Sequence, residues 1–219
     1  MNYLAHGFRF LDDPIFLAGT AVPDWLRVAD STVRARAQLV HPVVESTNDD
    51  QIRRLGRGIL QHHADDDAFH ANPIFQKIGS HLSARFRQQM PDRYDHRPGF
   101  LAHVLTELLL DDALASQDPA LLDRYYGAIE AVPSCWIQQA VNLIVRQPVT
   151  RLAEFIDLFR QVRFLYDYAD NNRLLMRINQ VLSRSGLQPL DTCVVPIFDD
   201  ARSVVRSHTR ELLETVSPP

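Results

Sequence analysis

LGRGILQHHADDDAFH, Leu55 to His70, runs into Asn72-Pro73 and then into IFQKIGSHLSARFRQQM, Ile74 to Met90. The first stretch has helical length and stops before a breaker pair. The second starts just after Pro73, a favoured place for a helix to begin. Neither shows the period-two alternation of a half-buried strand. Two successive helices therefore set the pattern, and the rest of the chain follows it. FLAHVLTELLLDDALAS (Phe100–Ser116) is apolar nearly all round, which predicts a central buried helix. DPALLDRYYGAIEAV (Asp118–Val132) opens with an N-cap aspartate and a proline in the first helical position. Thr150 can cap a long helix towards Ser183, because RLAEFIDLFRQVRFLYDY repeats apolar residues at three and four; Gly186 and Pro189 close it. A last amphipathic helix spans Ile197 to Val216. Val40 to Asp50 is the most loop-like stretch, and Met90 to Pro98 reads as a polar connection too short for a domain linker. The expectation is an all-α fold of about seven helices in a single domain, residues 1–219.

Bulk properties narrow the function classes. A length of 219 residues suits one medium domain, and 46% apolar with 23% charged residues is an ordinary globular composition. The net charge of −4 offers no clustered basic face for nucleic acid. No apolar run approaches the roughly 18 residues of a membrane span, and the N-terminus has no basic region followed by an apolar block. Cys135 and Cys193 are too few for a disulfide framework or a cysteine zinc site. A cytoplasmic protein is expected, without nucleic-acid or membrane partners.

On a helix, His62, Asp66 and His70 fall at i, i+4 and i+8 and form one stripe. Histidine and carboxylate one turn apart can converge on a cation, whose charge removes their repulsion. The outer two are about 12 Å apart along the axis, so one ion does not take all three. A solvated acidic face explains the stripe equally well. For His63, Asp65 and Asp67 the solvent explanation is the stronger. His103 and Glu107 repeat the i, i+4 spacing among Leu, Val and Phe, where an unpaired buried charge costs several kcal/mol. They are either metal ligands or a buried hydrogen-bonded pair. Asp111 continues their stripe, and Asp112 is expected to face water. His41, His81, His96 and His208 have no spaced carboxylate partner.

The opening MNYLAH, with Gly19 and then Asp24-Trp25-Leu26-Arg27, resembles that of the acyl carrier protein phosphodiesterases, which begin MNFLAH and continue GN-x-x-AD-F-x-R-G. Their helix H-x-x-x-D-x-x-T-D-x-H-P is similar to His62-xxx-Asp66-xxx-His70-x-Asn72-Pro73. Their D-x-x-x-D-H-F-L-A resembles His103-xxx-Glu107-Leu108-Leu109-Leu110. The likeness spans residues 1–116, and residues 117–219 supply helical completion. It implies an HD-domain-like, metal-dependent phosphohydrolase that releases 4′-phosphopantetheine from the carrier protein with Mn²⁺. By position it makes Asp24 the leading metal or catalytic carboxylate, with His6, His62 and Asp66 as companions and Arg27 facing a phosphate. Pro23, Phe69, His70, Asn72, His103, Glu107 and Leu108 depart from the family pattern. The added imidazole shifts the expected divalent metal towards Mn, Fe or Zn and away from Mg.

The expected function is thus a metal-dependent phosphoesterase. His6, Asp24, His62, Asp66, His70 and His103 are candidate metal ligands, and Asp24, Arg27 and Glu107 candidate catalytic groups. The expected substrate is holo-acyl carrier protein or a small phosphodiester. Two alternatives stay open: a catalytically silent helical binding protein, and a non-hydrolytic histidine–carboxylate iron site.

Overall fold

The computed structural model of the chain describes residues 1–90 and 98–214. His96, most of the polar connection after Met90, and the expected helix end at Val216 lie outside the described residues. All regular structure among the described residues is helical, in twelve α-helices and two short 3-10 segments rather than about seven helices. None of these helices is long and apolar enough to cross a membrane. The chain divides into two compact units, each assembled from separated stretches, so no linker in the sequence marks a boundary.

The first unit holds residues Tyr3–Asp67 and Pro119–Arg163. It contains α1 (Tyr3–Gly7), α2 (Pro14–Ala29), α3 (Ala37–Ser46), most of α4 (Asp50–Ala71), α7 (Leu121–Glu130), α8 (Ser134–Asn142) and α9 (Leu152–Val162). Asp13 caps α2 by accepting from the Phe16 amide, and Pro14 follows at the first turn. Asp49 does the same for α4, accepting from the Gln51 and Ile52 amides. α2 is central: its Leu17, Val22, Trp25 and Leu26 are fully buried, and it packs on α1, α7 and α9. Phe159 of α9 closes this core, with ring centroids 4.9 Å from Tyr3 and 5.5 Å from Trp25. Burying each such side chain contributes about 1.5–3 kcal/mol.

One crossing in this unit leaves no room for side chains. A Cβ on Gly19 of α2 would lie 2.2 Å from the Leu55 carbonyl oxygen, and one on Gly58 of α4 would lie 2.1 Å from that of Phe16. The two helix backbones touch, which only paired glycines permit.

The second unit holds Met1–Asn2, Ala68–Asp118 and, of the described residues, those from Phe164 to Glu214. Its helices are α5 (Pro73–Gln89), α6 (Pro98–Gln117), α10 (Asn171–Arg184), α11 (Val195–Ser207) and α12 (Thr209–Leu213). α6 is the buried centre, as its apolar circumference predicts, and packs along α5 and α11. Asn72 caps α5 through the Ile74 amide and donates its own amide to the Glu211 carbonyl at 2.9 Å.

Several sequence expectations are corrected. The stretch from Val40 to Asp50 is not mainly loop: α3 occupies Ala37–Ser46 despite Pro42, because Val40 and Val44 form an i, i+4 pair that packs on Gly56. The helix after α6 starts at Leu121, not at Pro119. The long helix from Thr150 to Ser183 is three pieces. Arg163 ends α9 in the left-handed region (φ 47°), a 3-10 turn spans Phe164–Ala169, and Asp170 starts α10 by accepting from the Asn172 and Arg173 amides. The last helix breaks at His208, between α11 and α12. Asp112 does not face water: it is buried between Arg202 at 2.5 Å and Arg206 at 3.1 Å.

Candidate metal centre

The Gly19–Gly58 contact determines which residues meet next to it: the one after Gly19 on α2 and the one a turn beyond Gly58 on α4. Thr20 of α2 and His62 of α4 are brought together, and His62 Nδ1 meets the Thr20 carbonyl oxygen at 2.8 Å. A carbonyl only accepts, so Nδ1 carries the proton and donates it. Burial, and then repulsion from His6, push the His62 pKa well below its ordinary value, so the ring is neutral. Its Nε2 therefore bears a lone pair, and that lone pair stands 3.6 Å from Oδ2 of Asp66. Asp66 is itself held well below the usual carboxylate range: burial opposes this, but attraction to His6 outweighs it. Two acceptors facing each other across a part-buried gap repel unless something positive lies near them.

His6 of α1 completes the group. Its ring stacks on that of His62 with centroids 3.9 Å apart, and is fully buried. Nε2 lies 3.3 Å from Asp66 Oδ1 and Nδ1 lies 3.6 Å from Asp65 Oδ2, and neither nitrogen has a hydrogen bond of acceptable geometry. Burial lowers the His6 pKa, yet the two carboxylates prevail and raise it. A proton on His6 is one way to supply the positive charge, and a metal ion is the other. The spacings suit a metal: nitrogen and oxygen ligands at about 2.0–2.1 Å in a tetrahedral arrangement are roughly 3.3 Å apart. One ligand atom from each of His6, His62 and Asp66 lies within 4.8 Å of the others. The Asp66 side chain is 27% exposed and gives the otherwise buried cluster its open side.

Behind the cluster sits Asp65, which the sequence pattern assigns to solvent. It is buried: Oδ2 accepts from Arg9 Nη2 at 2.9 Å and Oδ1 from Gln61 Nε2 at 2.7 Å. Its signal was its i+3 spacing from His62, which puts Asp65 and Asp66 on either side of the histidine's direction. His63 is half-buried and bonded to the Ala35 carbonyl at 2.8 Å, while Asp67 is exposed as expected.

The remaining candidates sort elsewhere. Asp24 is half-buried on α2 and does not belong to the set that closes within 4.8 Å; Arg27 is exposed on the same helix. His70, His103 and Glu107 form a second set, in the second unit. A single oxygen, Glu107 Oε1, receives the Met1 amino group at 2.9 Å, His103 Nε2 at 3.0 Å and His70 Nε2 at 3.2 Å. Burial raises the Glu107 pKa, but the Met1 ammonium and then the two histidines hold it well below its usual value. One oxygen of this carboxylate already has three donors, so the pair reading of His103 and Glu107 fits it. His81 lies 3.1 Å from Asp200, a partner invisible in local spacing.

No family model, curated protein or solved structure matches this chain.

Proposed function

We propose that the chain is a divalent-metal-dependent phosphoesterase whose cation is held by His6, His62 and Asp66. The observation that carries this reading is the buried lone pair of His62 Nε2 turned onto the Asp66 carboxylate. Two imidazoles and one carboxylate favour Mn, Fe or Zn over Mg. Such a cation supplies Lewis acidity, drawing charge from a phosphoryl oxygen and making hydroxide available near neutral pH.

The chain's own residues do the rest. The Thr20 carbonyl fixes the His62 tautomer, and Asp65, anchored by Arg9 and Gln61, faces His6 from behind. Asp24 lies one turn beyond Thr20 along α2, and we assign it removal of the proton from the attacking water. Arg27 follows at i+3 and would meet two phosphate oxygens with its planar guanidinium. Glu107, committed to the Met1 amine and two histidines, has no catalytic part. The all-helical architecture agrees with the HD-domain-like fold that the sequence resemblance implies. That resemblance makes the 4′-phosphopantetheine link of holo-acyl carrier protein the first natural substrate to assay.

The test is hydrolysis of a chromogenic phosphodiester by wild type, His62→Ala, Asp66→Ala and Asp24→Ala, each supplied with Mn²⁺, Fe²⁺ or Zn²⁺. The His62 and Asp66 variants should lose about 100-fold or more. Full activity in either overturns the proposal, and full activity in Asp24→Ala removes that residue alone. Two histidines with one carboxylate are also the donor set of non-haem iron sites. Stoichiometric iron without hydrolysis would favour that oxygen chemistry. In a catalytically silent protein, protonated His6 closes the network between Asp65 and Asp66, and stability is indifferent to chelator.

A further inference from the structure

The first unit carries a second polar site, whose charged residues are all cations. A hollow of about 250 Å³ lies between the connection that joins α2 to α3 and the turn that follows α8. Arg34, Arg36 and Arg146 line it together with Thr32, Gln38 and Gln147; no acidic residue lines it. In a chain whose net charge is −4, three arginines lining one hollow is an unexpected concentration of positive charge. Arg36 and Arg146 make no ion pair among the described residues, and both are exposed. Arg34 donates from Nη1 to the Val33 carbonyl at 2.7 Å, which leaves the rest of its fork for a ligand, and it has one acidic neighbour, Asp30. That carboxyl is held below its usual range first by hydrogen bonds from Thr32 and only secondarily by the Arg34 charge.

The backbone under the hollow is fixed. Val33 and Ala35 are buried while Arg34 and Arg36 alternate outward, so the two arginines share one side of an extended strand of chain. The Ala35 carbonyl accepts from His63 of α4, tying that segment to the helix beneath it. The arginines therefore project from an anchored platform.

We propose that this hollow binds a small phosphorylated anion. Planar guanidinium forks match phosphoryl oxygens two at a time, and three of them suit a polyanion better than a single carboxylate. The amide groups of Gln38 and Gln147 supply neutral donors at its edge. The site stands independently of the histidine cluster and of the phosphoesterase reading.

The experiment is calorimetric titration of inorganic pyrophosphate into full-length protein stripped of metal with a chelator and desalted. Wild type should bind one equivalent, more weakly as salt rises. Arg36→Ala and Arg146→Ala should each weaken binding by about tenfold or more, as loss of a charge-assisted contact requires. Arg184→Ala, an exposed control, and His62→Ala should leave it unchanged. Circular dichroism checks that each variant is folded; these arginines are exposed and support no core. Absence of saturable binding, or equal affinity in Arg36→Ala and Arg146→Ala, overturns the proposal. Loss of binding in His62→Ala also overturns it, because the anion would then belong to the histidine cluster.

Discussion

The carbonyl oxygen of Thr20 stands 2.8 Å from Nδ1 of His62, and this one hydrogen bond decides which face of the imidazole is basic. It exists because Gly19 and Gly58 let α2 and α4 meet backbone to backbone.

Gly58→Ala should therefore act on stability and on the site together. Its Cβ would collide with the Phe16 carbonyl, a backbone atom that cannot swing aside. Overpacking of this kind costs about 1–3 kcal/mol, and separating the helices pulls Thr20 off His62. Urea unfolding should show the loss of stability, and metal affinity should fall in the folded fraction. A variant with both properties unchanged would mean that the crossing has slack.

Asp65→Asn should destabilise the protein by about 3 kcal/mol, since it leaves Arg9 and His6 without their buried carboxylate. Chemical denaturation measures it. A change under about 0.5 kcal/mol would return Asp65 to the ordinary class of surface substitutions.

Glu107→Gln tests the second histidine set through pH. The folded-state pKa of Glu107 is depressed from the ordinary 4.5, so its contribution is present above that value and disappears as pH falls through the folded-state value. In metal-free protein, the stability gap between wild type and Glu107→Gln should be full at neutral pH and shrink below about pH 4. A gap independent of pH would show that the Met1 and histidine contacts carry no net charge coupling.

Asp170→Ala should cost about 1 kcal/mol, the usual value of an N-cap. Asp170 is exposed and satisfies two first-turn amides of α10, so thermal unfolding reads the cap with little packing change. No loss would mean that the break after Arg163 does not depend on it.

Local pattern was enough for the all-helical class, for α4 to α6, and for the pairing of His62 with Asp66, because each is fixed by spacing within one helix. It failed where a single residue overrules periodicity. Arg163 and Asp170 interrupt an apolar repeat that runs on unbroken, and Val40 with Val44 makes a helix of a segment that looks like loop because Gly56 lies opposite. It also failed for charges whose partners are remote. Asp65 needs Arg9 and Asp112 needs Arg202, and neither partner lies within a helical turn of it. The same limit explains why His62 and His103, alike in sequence, have different surroundings. One faces an acceptor with its lone pair, and the other donates to a carboxylate that already has an ammonium.

The most direct measurement is the metal content and affinity of the purified protein, by elemental analysis and by calorimetric titration with Mn²⁺, Fe²⁺ and Zn²⁺ after chelation. The account predicts one tightly bound divalent ion per chain, lost in His62→Ala and Asp66→Ala and retained in His103→Ala. No stoichiometric ion, or an ion that survives the loss of His62, would contradict it.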